Sequence, residues 1–161
     1  MADTVVRGRI DRRDPFAALL RAWLDPTTPG SRWAVVLGST ADARAALDDA
    51  GRRRDRLVVR TGQADADALL ADISPVLGTI LAEMTPAQRR IAVRILGEGL
   101  RQSEVADALG ISRASVSVAN RRGHVPEARL LLRAMRAAWN AGLRLRDGVA
   151  SPSRLGCVDG R

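Results

Sequence analysis

The chain has 161 residues, 46% of them apolar but with only 3 Trp and 1 Phe, so Ala, Leu and Val must fill any core and closely packed helices are favoured over an aromatic-rich sheet. Every one of its 26 basic side chains is Arg, and the net charge is +8. A single cysteine (Cys157) and a single histidine (His124) exclude an intrachain disulfide and a thiolate-built zinc site; no apolar run approaches the roughly 18 residues of a membrane span, and the start lacks a signal-peptide pattern, so a cytoplasmic location without membrane or cofactor is expected.

Residues 1–13 are polar around Val5, Val6 and Ile10 and read as either a short strand or a loose end. Asp14-Pro15 has the form of an N-cap followed by proline at the first helical position. Phe16, Leu19, Leu20, Trp23 and Leu24 then recur at helical spacing, predicting a helix over 15–24. The Pro- and Gly-rich stretch 25–30 stops it. Trp33 to Leu37 is a short apolar run and predicts a buried strand. Gly38-Ser39-Thr40 turns into a helix over about 41–51, with Ala43, Ala46, Leu47 and Ala50 facing the core and Gly51 and three arginines ending it. Leu57 to Val59 predicts a second strand, so the order is βαβ and the two strands should be parallel with a right-handed crossover. Gly38-Ser39-Thr40 lacks the glycine spacing and lysine of a phosphate loop, and no catalytic constellation is evident in this half.

A helix is expected over 65–73, with a kink or a new helix at Ser74-Pro75. Val76, Leu77, Ile80, Leu81 and Met84 form an apolar stripe that suits either a core or a dimer seam. Thr85-Pro86-Ala87-Gln88 is a capping box. The helix from 86 to about 97 should bury Ile91, Ala92, Ile95 and Leu96 and leave Arg89, Arg90 and Arg94 outside. Residues 102–122 read as helix, tight turn, helix: Ala106 is small enough for a close crossing, Gly110 suits a left-handed turn, and Ser112 is placed to cap the second helix. Val105, Leu109, Ile111 and Val116 supply the apolar contacts between the two. Gly123 is expected to end the second helix. Pro126 opens a long helix to about 141, with Ala128, Leu131, Leu132, Met135, Ala138 and Trp139 on one face. Gly142 should stop that helix.

Charge divides unevenly along the chain. Residues 1–84 carry 12 Arg against 12 acids, whereas residues 85–161 carry 14 Arg against 6 acids, so the whole positive excess lies in the second half. A polyanionic partner explains that asymmetry.

Pro86, Gly99-Leu100, Glu104-Val105-Ala106 and Leu109-Gly110-Ile111-Ser112 follow one another as in a known pattern. The stretch from about 85 to 142 resembles the helix-turn-helix of bacterial transcription regulators, in the version found in region 4 of sigma-70 factors and in LuxR-type response regulators. Two positions depart from it: Arg101 stands where a capping Ser or Thr is usual, and Ala119 where a larger aliphatic residue is usual. The resemblance implies a recognition helix over about 113–122 that enters the major groove. Its base-facing positions fall on Ser112, Arg113, Ala114, Ser117, Val118 and Arg121. Ser115, Asn120 and Arg122 would meet phosphates, as would Gln102 at the start of the preceding helix. A second, fainter resemblance links an α/β first half followed by such a motif to the SatD family, whose first half is similar to a nucleotide cyclase domain. This first half is too short for a full cyclase domain and lacks a recognisable pair of metal-binding aspartates.

The expected architecture is α+β, mainly α: a small α/β domain with connecting helices over 1–84, a helix-turn-helix DNA-binding domain over 85–142 and a flexible tail over 143–161. The expected function is sequence-specific DNA binding in transcription regulation, not an enzyme. Double-stranded DNA is the expected partner, a homodimer the expected assembly, and RNA polymerase a further candidate partner. The alternatives are a polymerase-associated, sigma-region-4-like factor, an adaptor whose helix-turn-helix binds protein and, last, an enzyme centred on Gly38-Ser39-Thr40.

Overall fold

The computed structural model describes residues 12–24 and 32–149. Residues 1–11 of the stretch 1–13 read as strand or loose end, the loop at 25–30, Cys157 and the tail beyond 149 therefore lie outside the described residues. Helices dominate, and the only sheet among the described residues is a parallel pair of strands.

Helix α1 spans Pro15–Trp23. The Asp14 carboxylate accepts from the Phe16 amide at 3.2 Å, which supplies the expected cap. Phe16, Leu19, Leu20 and Trp23 are all buried. Strand β1 (Trp33–Val36) pairs with β2 (Leu57–Arg60) in parallel, Trp33 opposite Leu57, with helix α2 (Thr40–Arg53) between them. A capping box of Ser39 and Asp42 starts α2. The helix runs two residues past the expected end at Gly51, because Arg54, at φ 62°, takes the left-handed position instead.

Helix α3 spans Ala64–Glu83 without interruption. No new helix starts at Ser74-Pro75. Leu70, Ser74, Leu77 and Leu81 form one buried row on both sides of the proline. Burying a leucine contributes about 1.5–3 kcal/mol, so the row offsets the roughly 3 kcal/mol that an internal proline costs. Gly78 lets α3 lie directly on β2: a Cβ there would sit 2.9 Å from the Leu57 amide nitrogen. Of the stripe expected at 76–84, Leu77, Leu81 and Met84 join the core, while Val76 stays exposed.

Helix α4 (Pro86–Ala92) begins at the capping box of Thr85 and Gln88 and ends in a π turn over Val93–Gly97. Ile91, Ala92, Ile95 and Leu96 are buried as their spacing requires. Arg89 does not stand free outside. It donates to the carbonyls of Met84 and Ala82, closing the end of α3. Arg94 is half-buried, 3.7 Å from Glu98. Two short helices follow, α5 (Gln102–Leu109) and α6 (Arg113–Arg122), and then a long one, α7 (Val125–Val149).

Gly142 does not terminate α7. It is buried against the loop after β2, where a Cβ would sit 2.6 Å from Thr61 Oγ1. The glycine serves close approach rather than chain reversal. Thr61 is itself fixed, since its amide and hydroxyl donate to the Asp67 carboxylate at 2.6 and 2.8 Å. Residues 143–149, expected in a flexible tail, are thus helical, and Arg146 bonds the Leu37 carbonyl. One buried cluster extends from Phe16 and Trp23 through Leu77 and Val105 to Trp139, whose indole N–H donates to the Arg12 carbonyl at 2.8 Å.

Candidate nucleic-acid interface

The turn between α5 and α6 is built by a few backbone hydrogen bonds. Gly110 adopts φ 63°, its amide donates to the Asp107 carbonyl, and the Ile111 amide reaches back to Ala106 at 3.1 Å. This pair of bonds is a Schellman stop, and it needs a residue that tolerates positive φ. The Ser112 hydroxyl then accepts from the Ser115 amide at 3.1 Å and caps α6. At the other end of α5, Arg101 offers no acceptor for the first amides. Glu104 supplies half of a capping box instead, its carboxylate accepting from the Arg101 amide at 2.6 Å. Val105 and Ala106 on α5 and Val116 on α6 are all buried in one cluster.

Val116 and Asn120 are one turn apart and define the inner face of α6. The outer face carries two adjacent rows at four-residue steps: Arg113, Ser117 and Arg121, and beside it Ala114, Val118 and Arg122. All six are exposed. The helix contains no acidic residue, and among the described residues no carboxylate pairs with Arg113, Arg121 or Arg122. Ser112 and Ser115 are exposed beside the first turn, and Gln102 is half-buried at the start of α5.

Asn120 departs from the expectation of a phosphate contact. It is buried, at 9% exposure, on the face that α6 turns to the core. Its place four residues after Val116 already dictates this orientation. Ile111 departs in the opposite sense: expected between the helices, it is 40% exposed beyond the turn. Gly123 ends α6 as expected, its amide donating to the Ala119 carbonyl at 2.9 Å, while the left-handed residue at the junction with α7 is His124, at φ 51°. Gly123 is also small for contact, since a Cβ there would lie 3.1 Å from the Ala119 carbonyl and 3.3 Å from Gln88 Cβ on α4.

That contact brings the start of α4 alongside α6. Thr85, Ala87 and Gln88 face Ala114, Ser115, Val118 and Arg122 across an open cleft of about 550 Å³. The capping box at Thr85 and Gln88 marks a helix start in sequence, and nothing in its spacing shows that it borders the outer face of α6. Among the described residues, no group of three His, Cys, Asp or Glu side chains is arranged to hold a metal ion, and no helix is long and apolar enough to cross a membrane. Comparison of the chain with protein-family models, with curated proteins and with solved structures gives no match.

Proposed function

We propose that the chain is a sequence-specific, duplex-DNA-binding transcription regulator whose α5–turn–α6 unit is a helix-turn-helix, with α6 lying in the major groove. The observation that carries this reading is the outer face of α6: three arginines that no described carboxylate pairs, with no acidic residue in the helix, on two exposed rows held out by the Schellman turn at Gly110. An α-helix fits the major groove, and an Arg fork can take guanine O6 and N7 together. Ala114 and Val118 suit a thymine methyl, and Ser117 can donate or accept. Arg122 and Ser115 border the cleft with α4 and suit the phosphate backbone. The positive excess of the second half adds the non-specific attraction that steers a protein to a polyanion.

The test is affinity of the full chain for sites selected from random duplexes, measured against salt and then across single-base changes. Arg113→Ala should cost about 1–3 kcal/mol on the preferred site and relax specificity at one base pair. Arg122→Ala should weaken all sequences alike and lower the salt slope by about one. A flat salt response and no selected sequence would overturn the reading.

A further inference from the structure

Among the described residues, two helix faces remain apolar and uncovered, and they carry opposite charge. On α3, Leu69, Ile73, Val76 and Ile80 follow steps of four, three and four residues, so they form one row along the helix. Leu69 is 56% exposed and Val76 51%, while Ile73 and Ile80 are half-buried at the row's inner edge. Asp65, Asp72 and Glu83 are exposed along the outer edge of that row. Helix α3 contains no basic residue at all.

On α7, Leu130, Ala134, Ala137 and Leu145 line the side away from the core, with Leu130 59% and Leu145 51% exposed. The alanines make the middle of this row shallow. Arg129, Arg133 and Arg144 are exposed beside it. Among the described residues, none of these three arginines and none of the three α3 carboxylates takes part in an ion pair.

We infer that the chain self-associates by docking the outer face of α3 in one copy onto the outer face of α7 in another. Bulk and charge both favour this pairing. The protruding Leu69 and Val76 fit the alanine floor of α7, and the acidic edge of one row meets the basic edge of the other. Pairing α3 with α3 would oppose carboxylates, and pairing α7 with α7 would oppose guanidinium groups. Each copy carries both faces, and a twofold pair in which the contact is made twice is the closed form of this pairing. The inference goes beyond the DNA-binding reading and does not depend on it.

Sedimentation equilibrium of the full chain, without DNA, is the test. The wild type should dimerise, and raising the salt should weaken the dimer. An α3 variant (Asp65→Arg, Asp72→Arg, Glu83→Arg) and an α7 variant (Arg129→Glu, Arg133→Glu, Arg144→Glu) should each lose self-association by at least tenfold. Mixed together they should form a heterodimer, because both of its contacts again join opposite charges, and one chain bearing all six changes should dimerise alone. Heterodimer formation also shows that both variants are folded. A wild type that stays monomeric at all concentrations overturns the inference. So does a dimer that survives either set of reversals, or variants that stay apart when mixed although each melts cooperatively.

Discussion

Replacing Gly142 with alanine sets two opposed effects against each other, and the structure decides which wins. Gly142 lies inside α7, where alanine is intrinsically better than glycine by about 1 kcal/mol. The new methyl, however, would sit 2.6 Å from Thr61 Oγ1, 2.8 Å from its Cβ and 2.9 Å from its Cγ2. Thr61 cannot rotate away freely, since its hydroxyl and amide are both bonded to Asp67. Overpacking of this kind costs about 1–3 kcal/mol, and separating Thr61 from Asp67 adds part of a charged hydrogen bond, roughly 1.5–3 kcal/mol when lost in full. The net expectation is destabilisation by about 1–3 kcal/mol, which lowers Tm by several degrees in a chain of this size. Gly51→Ala is the matched control: it too lies in a helix, but nothing stands within 4 Å of the added methyl, so it should stabilise by up to about 1 kcal/mol. Urea unfolding of both variants gives the comparison. Thr61→Ala removes two of the three close atoms, so in a double-mutant cycle it should relieve part of the Gly142→Ala penalty. If Gly142→Ala stabilises as Gly51→Ala does, α7 does not press on Thr61.

The α5–α6 unit gives a pair of contrasting substitutions. Gly110→Val meets no neighbour, yet should destabilise by about 1 kcal/mol or more because a β-branched residue resists φ 63°; Ala106→Leu should cost about 1–3 kcal/mol by overpacking a buried crossing. Unchanged thermal melting in both would mean that the helices do not cross at Ala106. The cap of α2 should respond to acid. Hydrogen bonds from the Ser39 side chain and amide hold the Asp42 carboxyl below its usual range, so the contribution is present above the unfolded-state pKa and is lost as the pH falls through the folded one. Protection of the Ser39 amide, its exchange rate relative to the unfolded chain at the same pH, should fall in that acidic window, and in Asp42→Asn the protection should no longer depend on pH.

How much of this was legible in the sequence depended on whether a residue's role is local. Asp14, Thr85, Gly110 and Ser112 act on backbone groups within a few positions, and each sits where its spacing predicts. Gly142 and Pro75 carry the local signals of chain breakers, yet a helix runs through each. What keeps the helices continuous is distant: Thr61 beside Gly142, and a buried row on either side of Pro75. Asn120 is a different case, since helical periodicity placed it inward with Val116, and its polarity led the other way. The cleft beside α6 needed the contact of Gly123 with Gln88, which joins residues far apart in the chain. The strand-pairing register and the exposed rows of α3 and α7 likewise emerge only from which neighbours each element finds.

The length of α7 has a consequence for cooperativity. It starts directly after α6, and at about 1.5 Å per residue its 25 residues extend roughly 37 Å, to the loop beyond β2 and the Leu37 carbonyl after β1. Leu132, Met135 and Trp139 along its inner side belong to the same buried cluster as Phe16 and Leu77 in the first half and Val105 and Val116 in the second. Neither half can lose its fold without uncovering that side of α7, so local opening of one half removes support from the other. The chain should therefore melt in a single transition with matching calorimetric and van't Hoff enthalpies, and the slowest-exchanging amides of α3 and α7 should open together as one unit.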